Sequence, residues 1–483
     1  MFFSVYTLGC KLNQLETEAI TDSFCREGFS FVPWDSVLAQ SPHPSNSPSI
    51  LVINTCTVTS MAEQKARRLI RKAMRQYPQA CFIVTGCYAQ MEGEALSALG
   101  KSAFSNFFVI GEDKKDQLLD LPRFLVTSGI EPRHAAVPHA TFELISSWFA
   151  SLHSQLTPGG SFRFRPENFA SHSRAFLKVQ DGCDRSCAYC RVSLARGKSR
   201  SLTAKEALEE LISLERRGFS EAVLTGVNIS QYRDSGMNLS GLLGFLLEGT
   251  QTIRIRLSSI EPEPKEREPN GHKLNFGSGF ASLLVNKRIR PHFHLSAQSG
   301  SSKVLKKMGR LYTADDIENL AATLRGAKED PFLACDIIAG FPGETSDDFE
   351  KTYRLCEKIG FAWIHAFPFS PRPGTAAYEF PEKVSEKDSS ERVKLLTALA
   401  RKGRREYTER WKGKEVEAVV EADESLKKGF TTAVSENYLK LSLNYGEQPA
   451  PTPGTLVRCR ITGEQGIELD GEETEDRLLC LPV

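Results

Sequence analysis

Six cysteines constrain what this chain can fold into more than any other feature. Three form a tight run, Cys183-Asp-Arg-Ser-Cys187-Ala-Tyr-Cys190. Three more, Cys10, Cys56 and Cys87, each stand just past an apolar run in the first hundred residues. One loop can gather the first group. Only a fold that joins distant segments can gather the second. The distribution points to two metal centres, one built locally and one by topology.

The sequence has 12 cysteines, and its start, MFFSVYTLGC, lacks the basic flank and length of a signal peptide. A disulfide framework is therefore not expected, and a cytoplasmic location is. In a reducing compartment such cysteines are core residues, metal ligands or reactive thiols. A length of 483 residues predicts two or three domains. The formal net charge of +1 announces no polyanionic partner, so any such surface must be local. No apolar run approaches the ~20 residues of a membrane span, and no membrane partner is expected.

Strand and helix signals alternate over residues 1–125. Apolar strand-like runs occur at Phe2–Leu8, Ile50–Asn54, Phe82–Thr85 and Phe107–Ile110, with a basic helix at Ala62–Gln76. This is a Rossmann-like parallel α/β pattern. Gln40–Ser49 reads as a Pro/Ser loop. Residues 126–172 read as a linker with a partial helix. A second α/β unit runs over 173–410. Its six strand candidates are Ala175–Gln180, Ala222–Thr225, Ile253–Ser258, Phe293–Ser296, Phe332–Ile338 and Trp363–Phe369. Six rather than eight predict an incomplete (β/α)6 barrel, open on one side. Thr203-x-x-Glu206 reads as a capping box, and Thr313-x-x-Asp316 opens a further helix. Pro262–Gly279 is a polar insertion of no evident role. Residues 411–483 show short alternating runs such as Val416–Val420, Leu439–Leu443 and Leu456–Ile461, which predict a small all-β barrel.

The C-x3-C-x2-C run follows a strand and an Asp-Gly turn. Three thiolates on a four-iron cubane leave one iron without a protein ligand, where a small molecule can bind. Zinc is the alternative, but a structural zinc site takes four closed ligands and no fourth lies nearby. Cys10, Cys56 and Cys87 sit at the carboxyl ends of predicted strands, where an open parallel sheet forms its ligand crevice. Each taken alone also suits a buried core cysteine, as do Cys25, Cys81, Cys335, Cys356, Cys459 and Cys480. Three basic clusters stand out: Lys65, Arg67, Arg68, Arg71, Lys72 and Arg75; Arg191, Arg196, Lys198 and Arg200; and Arg401, Lys402, Arg404 and Arg405. Such runs are solvated faces or phosphate contacts. From Lys412 onward 8 basic residues face 14 acidic ones. Contact of that module with a polyanion would therefore rest on one face of it, or on the basic helices before it.

The segment RAFLKVQDGCDRSCAYCRVSLARGKSRS resembles the cluster loop of radical S-adenosylmethionine (SAM) enzymes, and more narrowly of the methylthiotransferases. TLGCKLNQLETEAI, VINTCTVTSMAEQKARR and VTGCYAQ are similar to that family's first domain. LTGVNISQY, RLSSIEP, HFHLSAQSGSSKVLKKMGRLYT, DIIAGFPGETSDDF and FPFSPRPGT are similar to its barrel, and residues 411–483 resemble, by position, its small C-terminal RNA-binding β-barrel. The resemblance implies two 4Fe–4S clusters. The one on Cys183, Cys187 and Cys190 binds SAM, and an auxiliary one on Cys10, Cys56 and Cys87 carries the sulfur to be transferred. It implies SAM contacts among Gly226, Asn228, Ser258, Glu261, Gln298, Ser299, Arg310 and Gly340. Tyr189 matches the family's aromatic before the third cysteine. One SAM then methylates the sulfur, and a second is cleaved to a 5′-deoxyadenosyl radical that activates carbon 2 of the target. A small electron donor such as flavodoxin or ferredoxin is implied, whereas the sulfur donor is not indicated.

The residues after Cys10 (Lys-Leu-Asn-Gln-Leu-Glu-Thr-Glu) and after Cys56 (Thr-Val-Thr) resemble the branch that modifies N6-threonylcarbamoyladenosine at position 37 of tRNA. The alternatives are the siblings acting on isopentenyladenosine tRNA or on a ribosomal-protein aspartate. A non-catalytic iron–sulfur RNA-binding protein is more remote.

Overall fold

The structure is a computed structural model that describes all residues except 39–46, 102–105, 135–137, 153–159, 264–275, 277–278, 423–428 and 466–476. Most of the Pro/Ser loop and of the Pro262–Gly279 insertion therefore lies outside the described residues.

The first unit is a five-stranded, wholly parallel sheet. Its strands are β1 (Phe2–Thr7), β2 (Ser30–Phe31), β3 (Ile50–Thr55), β4 (Cys81–Gly86) and β5 (Phe107–Val109), in the order β2-β1-β3-β4-β5. Every residue of β3 and β4 is buried, as continuous apolar runs in a sheet covered on both faces should be. Helices α1 (Lys11–Arg26), α2 (Trp34–Leu38), α3 (Ser60–Gln76), α4 (Cys87–Met91), α5 (Gly93–Lys101) and α6 (Leu121–Thr127) connect and cover the strands. The segment expected as a linker supplies α7 (Pro138–Ser151). Its Ile145 and Trp148 are buried with Phe3, Val52 and Ile83 of the sheet.

The second unit holds six parallel strands. These are β6 (Ala175–Lys178), β9 (Glu221–Thr225) and β10 (Arg254–Leu257), then β11 (His292–Gln298), β12 (Phe332–Ala339) and β13 (Trp363–Pro368). A short ribbon of β7 (Gln180–Asp181) and β8 (Arg200–Ser201) follows β6. Bridges Ile255–Ile289 and Ile260–Leu295 join the two triplets in parallel. Among the described residues β6 and β13 do not pair, so the barrel is open between them. Helices α8 (Val192–Arg196), α9 (Ala204–Arg216), α10 (Leu239–Gly249), α11 (Phe280–Leu284), α12 (Ser302–Lys307), α13 (Ala314–Ala327) and α14 (Ser346–Ile359) complete the unit.

Thr313 and Asp316 form the reciprocal capping box that opens α13. Thr203 caps α9 by accepting from the Glu206 amide, and the Glu206 carboxylate takes the Thr203 hydroxyl and Arg165.

A 26-residue helix, α15 (Glu386–Trp411), leads to a closed barrel of β14 (Glu415–Val420), β15 (Phe430–Ser435), β16 (Lys440–Asn444), β17 (Leu456–Gln465) and β18 (Arg477–Pro482). This barrel shares a core with Phe332, Ala334 and Ala362, at the amino ends of β12 and β13. His292, which starts β11, stacks on Tyr438 at 4.1 Å. The small barrel thus floors the large one and leaves its carboxyl ends free. Among the described residues no helix is long and apolar enough to cross a membrane.

Candidate functional site

β1, β3 and β4 are adjacent and end at one level, with Thr7 beside Asn54 and Thr55 beside Gly86. Cys10, Cys56 and Cys87 follow those ends. Cys10 is exposed, whereas Cys56 and Cys87 are buried. The chain can turn into Cys87 only because Gly86 takes φ 100°, and a Cβ there would collide with the Thr55 backbone. The Cys56 thiol is pushed up to about 11, by burial first and then by the neighbouring Cys10 sulfur. Burial pushes Cys87 up further, against the pull of Arg196.

The second trio lies in the loop between β7 and α8. Gly182 takes φ 71° before Cys183, and a Cβ there would strike the Lys198 carbonyl. The loop is pinned on both flanks. The Cys183 amide donates to Gly197 O (3.0 Å), and the Ala188 amide donates to Met308 O (2.8 Å). The Ala377 amide donates to Ala188 O (2.7 Å). Burial raises all three thiols, Cys183 to about 12.

Four of the six sulfurs accept an N–H. Val58 N donates to Cys56 Sγ (3.5 Å), Arg185 N to Cys183 (3.4 Å) and Val192 N to Cys190 (3.4 Å). Arg196 Nε donates to Cys87 Sγ at 3.3 Å. Cations, N–H donors and a bound metal each favour the thiolate of a buried cysteine, and hydrogen bonds to sulfur tune thiolate-bound iron. The donor sets therefore fit an iron–sulfur centre at each trio. Among the described residues no three His, Cys, Asp or Glu side chains close on a single-ion point.

The carboxyl ends of the barrel strands bring most of the expected site residues to the second trio. Gly226 lies so close to Gln180 that a Cβ would sit 2.8 Å from its Oε1. The Asn228 backbone amide donates to that same oxygen (2.8 Å), and Asn228 Nδ2 donates to Glu261 (3.0 Å). Glu261 is buried and also takes Arg185 (3.0 Å) and Arg310 (2.9 Å). Burial works against its charge, but Arg310 and Arg185 outweigh that and hold the carboxyl below its usual range. Arg310 also donates to the Tyr189 hydroxyl.

Two buried polar atoms here have no partner among the described residues, Ser258 Oγ and Arg310 Nε. Gln298 takes φ 66° at the irregular end of β11, the kind of backbone strain that gathers at functional sites. Ser299 and Gly340 are committed to packing. The Ser299 hydroxyl engages Thr352 and the Ser301 amide. A Cβ on Gly340 would meet Ser389 Oγ of α15 at 2.5 Å.

Sequence reasoning missed what joins the two trios. Arg196, on α8 just past Cys190, is 2% exposed and reaches across to the other trio. Beyond Cys87 it reaches Glu16 (2.9 Å), Asp181 (3.2 Å), Asn13 (2.9 Å) and Glu112 (3.5 Å). Lys178 binds Glu16 (3.3 Å) and Asp181 (2.7 Å), and Lys115 binds Glu16, Glu112 and Asn54. Burial alone would raise the Glu16 carboxyl, but Arg196, Lys115 and Lys178 hold it well below the usual range. The one sequence signal was Lys178, a cation inside the otherwise apolar run Ala175–Val179. A second seam joins Arg372 to Glu63 and Thr57, and Arg191 to Glu63 and Glu92.

Comparison of the sequence with known proteins identifies the family. Residues 177–356 match the family described as the radical SAM superfamily, and residues 3–106 match the uncharacterized protein family UPF0004. The chain is 39% identical to the threonylcarbamoyladenosine tRNA methylthiotransferase MtaB of Treponema pallidum, over 96% of this chain and 99% of that one. It is 32% identical to the protein of the same name from Aquifex aeolicus, over 94% and 98%. The solved radical SAM methyltransferase TsrM of Kitasatospora setae aligns with a TM-score of 0.47 and 14% identity, over 78% of this chain and 73% of that one. The chain belongs to the methylthiotransferases of the radical SAM superfamily. Its cofactors are 4Fe–4S clusters and SAM.

Proposed function

We propose that this protein converts N6-threonylcarbamoyladenosine at position 37 of tRNA to its 2-methylthio derivative. Cys183, Cys187 and Cys190 hold the cluster that binds SAM, and Cys10, Cys56 and Cys87 hold the auxiliary cluster. When bound, these groups supply the electron that cleaves SAM and the sulfur that is transferred. The observation that carries the reading is the meeting of three strand-end cysteines with the cluster loop across one buried arginine, Arg196.

The chain's own residues position, neutralise and exclude water. Gly226 and Asn228, locked to Gln180, form the wall beside Cys183. Glu261 holds Arg310 and Arg185 in place, and Ser258 Oγ with Arg310 Nε offers polar atoms that the protein leaves unmatched. Gln298 presents its backbone at the strand end. Ser299 and Gly340 act indirectly, by fixing the ends of β11 and β12. Arg196 and its carboxylates fill the space between the trios with matched charge instead of solvent, which keeps the reacting groups in a low-dielectric pocket.

The protein works in the cytoplasm, with its electron supplied by a flavodoxin or ferredoxin. Reconstituted enzyme, incubated anaerobically with SAM, dithionite and tRNA bearing threonylcarbamoyladenosine, is expected to yield 5′-deoxyadenosine and the 2-methylthio nucleoside. Persistence of that nucleoside in a deletion strain with no redundant enzyme would refute the assignment. Product on isopentenyladenosine tRNA alone would move it to the sibling branch.

A further inference from the structure

The structure sorts the three basic clusters seen in the sequence. In the second cluster Arg191 and Arg196 are buried and paired with carboxylates, so that only Lys198 and Arg200 remain exposed. On α15, Lys402 lies beside Glu406, and Arg404 sits over the Phe332 ring. Helix α3 differs. Its apolar face, Ala66, Ile70, Ala73 and Met74, is buried against the first sheet. Its one acid, Glu63, is buried and turned inward to Arg372. Arg67 is taken by the Tyr88 hydroxyl at 2.6 Å. Lys65, Arg68, Arg71, Lys72 and Arg75 are exposed and form neither an ion pair nor a hydrogen bond among the described residues. At 100° per residue, Lys65, Arg68, Lys72 and Arg75 fall on one face of the helix, with Arg71 at its edge. The stripe from Lys65 to Arg75 covers about 15 Å of this 17-residue helix at 1.5 Å per residue.

The same helix is anchored at the site. Its first residue, Ser60, hydrogen-bonds through its amide to Ser370 Oγ at 3.1 Å, just beyond the end of β13. Beside it, next to Cys56, stand two large apolar side chains left in solvent, Val58 at 59% and Met61 at 72% exposure. On the neighbouring open edge of the barrel, Phe367 is 41% exposed and stacks with His365. A row of unneutralised cations thus runs up to an apolar lip at the auxiliary site. The C-terminal barrel, where an RNA grip would be looked for by position, is net acidic.

We infer that α3 is a phosphate-binding rail for the RNA substrate, along which Lys65, Arg68, Arg71, Lys72 and Arg75 contact the backbone while Val58 and Met61 meet the nucleotide entering the site. This rests on the proposed tRNA substrate. An RNA strand satisfies both halves of the feature, with phosphates for the cations and base faces for the apolar lip.

The test measures binding of a tRNA anticodon stem-loop bearing threonylcarbamoyladenosine to the anaerobic holoenzyme over a series of salt concentrations. The R68E/K72E/R75E variant is compared with wild type and with K205E/K351E, a control on the outer barrel surface. Loss of affinity of roughly tenfold or more is expected, with the log–log salt slope shallower by about 2 to 3. Iron content and SAM cleavage should stay at wild-type levels, which shows the variant folded and loaded. Unchanged affinity and slope, or an equal loss in the control, would overturn the rail. Should wild type itself fail to bind this RNA, the substrate assignment falls first, and with it the rail.

Discussion

The two cysteine trios reach the same end by opposite routes. Cys183, Cys187 and Cys190 lie within eight residues, and their loop is held by backbone bonds to Gly197, Met308 and Ala377. Cys10, Cys56 and Cys87 lie 77 positions apart from first to last, too far for one loop to gather them. The parallel sheet does so, by ending β1, β3 and β4 at one level. A centre built by a loop depends on that loop, whereas a centre built by topology depends on a whole domain. Arg196 couples the two, because it leaves the compact loop and ends on the sulfur of the dispersed trio.

The sharpest way to break the comparison is to remove one sulfur from each side. Cys187→Ala is expected to abolish 5′-deoxyadenosine formation. Cys56→Ala should spare part of that cleavage and stop methylthiolation. Equal loss in both, with the fold intact, would deny the division of labour. The next largest effect falls on the link. Arg196→Gln leaves Glu16 and Asp181 buried with one cation fewer, a change worth about 3–5 kcal/mol in buried pairs. Chemical denaturation should show a loss of that order. A loss under about 1 kcal/mol would mean that the remaining cations already balance the network.

The glycines give a matched pair of smaller tests. Gly86→Ala should deplete iron at the dispersed trio and Gly182→Ala at the compact one, each with about 1–3 kcal/mol of backbone strain. Metal analysis and cluster spectra of the two variants would separate them. Interchanged effects would contradict the placement.

Acid stability supplies a measurement away from both trios. Burial tends to raise the Glu221 carboxyl, but Arg256 and Arg290 bring it down to about 2. A carboxyl lowered on folding stabilises the protein above its unfolded pKa and loses that contribution as pH falls towards its folded one. The interval here runs from about pH 4.5 down to about 2, and it amounts to about 3 kcal/mol. Glu221→Gln should therefore flatten the fall in stability across that range and leave both cysteine trios able to take up iron.

Much of the fold was legible because its signals are short in range. Apolar runs mark β3 and β4, and the capping box at Thr313 marks α13. The strand-end placement of Cys10, Cys56 and Cys87 followed from those runs. The charged bridge was not legible, since Glu16 and Arg196 stand 180 positions apart and each looks like ordinary surface polarity. Lys178 in a buried strand hinted that a partner must exist, without saying which. The helix α7 was blurred by weak periodicity, and only the packing of Ile145 and Trp148 shows that it belongs to the first sheet.

The most direct test of two separately built centres is anaerobic iron and sulfide quantification on three proteins. These are wild type, the Cys183/Cys187/Cys190→Ala triple variant and the Cys10/Cys56/Cys87→Ala triple variant. About eight irons should be found in wild type and about four in each variant, as expected for two four-iron cubanes of which one survives. A triple variant that keeps all its iron, or one that loses all of it while its secondary structure persists, would contradict the account.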